Sequence, residues 1–113
     1  MKIEVSIGDY LDRYSILAIK KINGLEVDEE LKSYQQHSFS PYLMILKSIN
    51  RELWKLEDVK RKGVKRYSKK ESDTAFLITQ LNDLRHLVKK KADIFHNSKL
   101  SEKKSYVWNK LLY

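Results

Sequence analysis

The chain contains no cysteine. Disulfides, thiolate zinc sites and cysteine nucleophiles are therefore excluded. It has one proline and three glycines, too few for a turn-dense β-sandwich. No apolar run approaches the roughly 20 residues of a membrane span. The opening Met1-Lys2-Ile3-Glu4-Val5 lacks the apolar stretch of a signal peptide. These absences point to a cytoplasmic protein with no membrane partner. There is no Gly-rich phosphate loop and no nucleophile elbow. His37, His86 and His96 do not fall at a metal-ligand spacing. With no nucleophile–base pair in view, enzyme is the least favoured class, and no cofactor or metal is expected.

What the chain does have is charge and helical periodicity. Its 113 residues are one domain's worth, spanning 1–113. Charged residues make up 34% and hydrophobic ones 42%, the balance of amphipathic helices with wet outer faces. The net charge of +8 is unevenly placed: residues 1–54 sum to −1, 55–70 to +6, 71–84 to −3 and 85–113 to +6. Two basic patches of this kind suit a phosphate-bearing partner, or else form a solvated helix face.

The helices announce their own ends. Ser6 followed by Asp9 resembles a capping box, and Ile7, Leu11, Tyr14 and Ala18 give the first helix its stripe. Asn23-Gly24 stops it. A short helix is predicted from Asp28 to about Gln36, with Glu29 and Glu30 favoured in its first turn. Ser40-Pro41 opens a third helix, and Tyr42, Leu46, Ile49, Leu53 and Leu56 follow at 4-3-4-3 spacing. Lys60-Arg61-Lys62-Gly63 closes it. Ser68 with Glu71 starts a fourth helix, whose predicted seam is Leu77, Leu81, Leu84 and Val88, with Phe95 beyond, ending near Asn97. Residues 2–5 make at most a short extended arm. The tail holds Tyr106, Val107, Trp108, Leu111 and Leu112, too apolar to stay in water, so it is expected to dock on the bundle or on a second subunit. The predicted fold is all-α: a long antiparallel helical hairpin, a packed N-terminal helix and a docked C-terminal tail.

Polar residues fall in stripes beside these seams. Asn50, Trp54, Glu57 and Arg61 share one side of the third helix. Asn82, Arg85 and Lys89 share one side of the fourth, and Asp9, Arg13 and Lys20 one side of the first. In an antiparallel hairpin Asn50 and Trp54 approach Arg85 and Lys89. The product is a cleft with an aromatic wall, amides and cations suited to phosphate oxygens. The structural alternative is that Glu57 and Asp58 pair with Arg85 and Lys89 to fix helix register, with Trp54 in the core. Separately, Lys60 to Lys70 holds seven basic residues in eleven and one aromatic, a pattern able to hold nucleic acid electrostatically without a base-specific signature.

Four blocks resemble a small bacterial and phage family of unknown function, often found with glycosyltransferases or in surface-polysaccharide gene neighbourhoods. Ser6-Ile7-Gly8-Asp9-Tyr10-Leu11-Asp12-Arg13-Tyr14-Ser15-Ile16-Leu17 is similar to its S-x-G-E-x-x-D-K-x-x-I-L opening. Asn50-Arg51-Glu52-Leu53-Trp54-Lys55-Leu56-Glu57-Asp58 resembles N-x-x-L-W-x-x-E-D, and Asn82-Asp83-Leu84-Arg85 with Lys89 resembles N-D-x-R-x-x-x-K. Glu102-Lys103-Lys104-Ser105-Tyr106 resembles E-E-K-S-Y. The chain departs at Asp9 for Glu, Arg13 for Lys and Lys103 for Glu, and in its basic 60–70 loop. The resemblance implies an all-helical fold and no particular activity. Its motif positions are polar, whereas a motif serving packing alone is mostly apolar.

The expected ligand-binding residues are Arg13, Lys20, Asn50, Trp54, Asn82, Arg85, Lys89, Ser105 and Tyr106, supported by Asp12, Glu57 and Asp58. The expected function is non-catalytic binding, or sequestration, of a small anionic, phosphate-bearing ligand: a nucleotide, cyclic nucleotide signal or nucleotide sugar. The alternatives are a module docking on a glycosyltransferase or other protein, and nucleic-acid binding through the 60–70 loop. A homodimer through leftover apolar seam and tail is expected.

Overall fold

A computed structural model of the protein describes residues 4–34, 38–63, 65–97 and 106–107, with the backbone alone at 4, 97, 106 and 107. The fold is all-α. Helix α1 spans Ile7–Ile22, α2 Asp28–Lys32, α3 Pro41–Arg61 and α4 Lys69–Asn97. Two short strands, β1 (Glu4–Val5) and β2 (Tyr106–Val107), pair antiparallel, Glu4 opposite Val107 and Val5 opposite Tyr106. The expected docking of the tail side chains lies outside the described residues.

Local chemistry sets the helix ends. Ser6 Oγ accepts from the Asp9 amide at 3.1 Å, Ser40 Oγ from the Tyr42 amide at 3.2 Å and Ser68 Oγ from the Glu71 amide at 3.1 Å. Each cap satisfies a donor that the first helical turn leaves unpaired. Glu71 completes the α4 cap from the other side, its carboxylate accepting from the Tyr67 amide at 2.8 Å. At the end of α1 the chain turns through Gly24 at φ +86°, a conformation that costs glycine little.

The prediction of α2 reaching Gln36 is corrected: the helix stops at Lys32. Tyr34 turns inward instead and stacks on Tyr10, ring centroids 5.1 Å apart. Burying that ring outweighs one more turn of a short exposed helix.

Helices α3 and α4 run antiparallel. At one end Ser40 Oγ lies 2.7 Å from His96 Nε2, and the Tyr42 ring lies 5.4 Å from Phe95. At the other end Lys60 shares a small hollow with Glu71 and Thr74. Helix α1 lies across both, antiparallel to α4, because Gly8, Asp9 and Asp12 meet Asp93, Lys89 and Arg85 in that order. Ile7, Tyr10 and Leu11 from α1, Leu43, Leu46, Ile49 and Leu53 from α3, and Val88 and Ala92 from α4 form the core.

The predicted α4 seam is also corrected. Leu77 and Leu84 are 45% and 44% exposed and Phe95 is 56% exposed. The inward residues are Thr74, Ile78, Leu81, Arg85, Val88 and Ala92, at 4-3-4-3-4 spacing. The two stripes have the same period, and α1 selects between them. Gly8 sits so close to α4 that a Cβ there would overlap the Lys89 carbonyl oxygen and come within 2.9 Å of Asp93 Oδ1. The Gly8 amide donates to that carboxylate at 2.6 Å.

Gly8→Ala is expected to lower stability by about 1–3 kcal/mol through overpacking, although alanine is the better helix former. Urea unfolding checks this. Equal or higher stability would mean that α1 does not press on α4 at this point.

Candidate functional site

Asp12 on α1, Asn50 on α3 and Arg85 on α4 each lie in phase with the apolar seam of their helix. Asp12 is 3% exposed and Asn50 6%. Arg85 Nε donates to Asp12 Oδ1 at 2.9 Å and Nη2 to Oδ2 at 2.6 Å, a two-pronged pair. Asn50 Nδ2 donates to Asp12 Oδ1 at 2.9 Å and to Ser15 Oγ at 2.7 Å. Ser15 in turn donates to the Asp12 carbonyl at 2.7 Å. A buried carboxylate is stable only when its oxygens accept hydrogen bonds in this way. Asn82 Oδ1 accepts from Arg85 Nη1 at 3.3 Å and steadies the guanidinium. One turn along, Lys89 Nζ binds Asp9 Oδ1 at 2.7 Å and stands 3.9 Å from Asp12 Oδ2.

The electrostatics follow from this arrangement. The Asp12 hydrogen bonds, against the opposing effect of burial, hold the Arg85 proton more tightly than usual. Burial alone pushes the Asp9 carboxyl up. The hydrogen bond and charge of Lys89, with Ser6 and Arg13, bring it below the usual carboxylate range. Two carboxylates stand against two cations, so the formal charges of the cluster balance.

This corrects two expectations. The partners of Arg85 and Lys89 are Asp12 and Asp9 of α1, not Glu57 and Asp58 of α3. Asp58 faces outward and pairs with Arg61 of its own helix at 3.3 Å and with Lys62, just past the helix end, at 3.1 Å. Moreover, Lys89 does not share a cleft with Trp54. It lines a separate shallow hollow with Ser6, Asp9, His86 and Asp93. A phosphate seeking Arg85 and Lys89 together would have to displace carboxylates already bonded to them.

Beside the cluster lies an open cleft of about 350 Å³. Ile16, Ile19 and Leu53 form its apolar floor, and Trp54 with Glu57 and Arg61 forms one wall. Asn82, Arg85 and Asn50 present polar edges to it. The expected set thus divides. Asn50, Trp54, Glu57, Asn82 and Arg85 come together, while Arg13, Lys20, Asp58 and Lys89 lie outside the cleft lining. Ser105 and the side chain of Tyr106 lie outside the described residues. Glu57 has no ion-pair partner among the described residues.

The contacts of Asp9, Ser15 and Asp93 were not foreseen from the sequence, and Arg61, placed on the Asn50–Trp54–Glu57 stripe, was left out of the expected site although it lines the cleft. The signal for Ser15 was present: Gly8, Asp12, Ser15 and Ile19 repeat at 4-3-4, so two polar residues lie on a buried seam. The Ser40–His96 contact was not foreseen either. Ser40 is 2% exposed and already caps α3, so the pair clips two helix ends and offers no accessible nucleophile. Among the described residues no three metal-binding side chains cluster, and no helix is long and apolar enough to cross a membrane. No protein-family model, curated protein or solved structure matches this chain.

The Asp9–Lys89 pair gives a pH signature. A carboxyl whose folded pKa is depressed stabilises above its unfolded value, near pH ~4, and loses that contribution as pH falls through the folded value. Asp9→Asn is therefore expected to be less stable than the parent at about pH 6, with the difference shrinking toward zero by about pH 2. Urea melts across this range check it. A constant difference would remove the ionic account of the pair.

Proposed function

We propose that the protein is a non-catalytic binder of a small phosphate-bearing ligand that also carries a ring, such as a nucleotide or nucleotide sugar. The observation supporting this reading is the make-up of the cleft. Trp54 offers a flat apolar face against which a base or sugar ring stacks. Glu57, without an ion-pair partner among the described residues, accepts hydrogen bonds from sugar hydroxyls or base amino groups. Among the described residues Arg61 has one ion-pair contact, an exposed 3.3 Å one to Asp58, so its guanidinium turns to a phosphate at little cost.

In this reading Arg85 has a different part from the one its sequence position implies. Its charge is matched by Asp12, and it shapes the cleft edge, leaving the phosphate to Arg61. Asn82 and Asn50 are held the same way, as fixed amides on a rigid wall. Pre-positioned groups of this kind reduce the ordering that a ligand must bring about. The resemblance to a family found beside glycosyltransferases favours a nucleotide sugar among the candidates.

Calorimetric titration against nucleoside phosphates, cyclic nucleotides and nucleotide sugars tests the proposal. One class is expected to bind. Trp54→Leu should weaken it by about ten- to a hundredfold, the effect of losing roughly 1–3 kcal/mol of stacking. Arg61→Ala should weaken it by about tenfold or more, with stability within roughly 0.5 kcal/mol of the parent. A parent protein that binds no phosphate compound overturns the reading.

A further inference from the structure

A second stripe of α4, with four large apolar residues, faces outward. Leu77, Leu84, Leu87 and Ile94 are 44% to 68% exposed, and they continue through Gln80 and Lys91 as an unbroken 4-3-4-3-4-3 repeat from Asp73. With the neighbouring Phe76 and Phe95 the stripe exposes roughly 600 Å² of apolar surface, at the upper end of what a lone protein usually shows. It approaches the ~800 Å² that each partner of a stable complex covers.

The order of residues in the stripe identifies what covers it. Read from either end the sequence of seam positions is the same in kind: apolar, polar, apolar, apolar, polar, apolar. We propose that α4 packs antiparallel against α4 of a second copy, with the twofold axis passing between Arg85 and His86. That register places Leu77 opposite Ile94 of the second copy and Leu84 opposite its Leu87. Gln80 then meets Lys91, so the polar breaks meet each other and no apolar layer is spoiled. A twofold contact requires this self-complementarity, since each residue must suit its image.

Charge supplies an independent argument. Asp83 and Lys90 flank the seam on the same side, both are exposed, and neither has an ion-pair partner among the described residues. In this register Asp83 of each copy faces Lys90 of the other, giving two pairs of opposite sign at the flank where coiled-coil partners are chosen. In a parallel pairing Asp83 and Lys90 would meet the opposite flank, Val88 and Phe95, and find no opposite charge across the seam. The part of the tail that is described, Tyr106–Val107, pairs with Glu4–Val5. That strand leads into α1, which meets α4 through Arg85, Lys89 and Asp93. On the helix those residues point away from the Leu84–Leu87 stripe.

Sedimentation of the full chain at high micromolar concentration is expected to give twice the monomer mass. Asp83→Lys and Lys90→Asp should each weaken association by roughly tenfold, since the symmetry applies each change twice. The combined D83K/K90D variant should restore it, because every flank pair is again opposite in sign. The native absence of cysteine allows a direct reading of register. Under mild oxidation the Gln80→Cys/Lys91→Cys double variant should form a disulfide-linked dimer, and neither single variant should. A monomer throughout, as when the chain's own residues 98–113 or another protein cover the stripe, overturns the proposal. So does a dimer whose association ignores the charge reversals, or one in which either single cysteine cross-links as readily as the pair.

Discussion

Asp12 is a carboxylate almost sealed from water, and an ionised group in such a place must be met by donors from every side. Here the donors come from two other helices: a two-pronged guanidinium from α4 and an amide from α3. These bonds are short-range and directional. They hold only if α1, α3 and α4 stand at one height relative to one another. Apolar seams at 4-3 spacing tolerate a slip of one turn, because leucines pack against leucines in more than one register. A single buried ion pair with an amide partner does not tolerate it. The cluster therefore specifies the arrangement, while Ile7, Tyr10, Leu11 and their partners supply the bulk of the burial. Gly8 fits the same logic, since the close approach of α1 to α4 brings Asp12 within reach of Arg85.

The cleft is a by-product of this geometry. Arg85 and Asn50 reach inward to Asp12, and the space they vacate on the adjoining flank is bounded by Trp54, Glu57 and Asn82. Arg85, Asn50 and Asn82, fixed through Asp12 and one another, give the cleft a preformed polar edge. The same geometry also explains why polar residues recur along motif-like stretches. Some of them hold the helices in place, and others line the space that results.

Much of the fold was legible because it is local. The caps at Ser6, Ser40 and Ser68 and the stop at Gly24 are decided by a few neighbouring residues, so spacing alone finds them. The face that α4 turns inward was not legible. Leu77, Leu81, Leu84 and Val88 form a better apolar stripe than Thr74, Ile78, Leu81, Arg85, Val88 and Ala92. The choice rests on Asp12, which lies 73 residues away in the chain. The same remoteness misdirected the search for the partners of Arg85 and Lys89. Glu57 and Asp58 lie at plausible heights on the facing helix, whereas the position of α1 across the hairpin leaves no trace in the periodicity of α3 or α4. Within the cleft, the stripe Asn50–Trp54–Glu57 and the residues Asn82 and Arg85 could be read from helical spacing. The balance of their charges could not, since it depends on which carboxylates are buried with them.

The central claim is that Asp12 and Arg85 act as one unit, and a double-mutant cycle measures it most directly. Asp12→Ala, Arg85→Ala and the combined variant would be unfolded in urea beside the parent. Arg85→Ala leaves the buried Asp12 carboxylate short of donors, a loss of about 3–5 kcal/mol, while Asp12→Ala leaves the Asn50 amide and a half-buried guanidinium unmatched, a loss of about 1–3 kcal/mol. Removing both leaves neither charge stranded, so the double variant should be more stable than the sum of the single losses requires, by about 2–3 kcal/mol. Losses that add to within about 0.5 kcal/mol would show two independent residues and contradict the account.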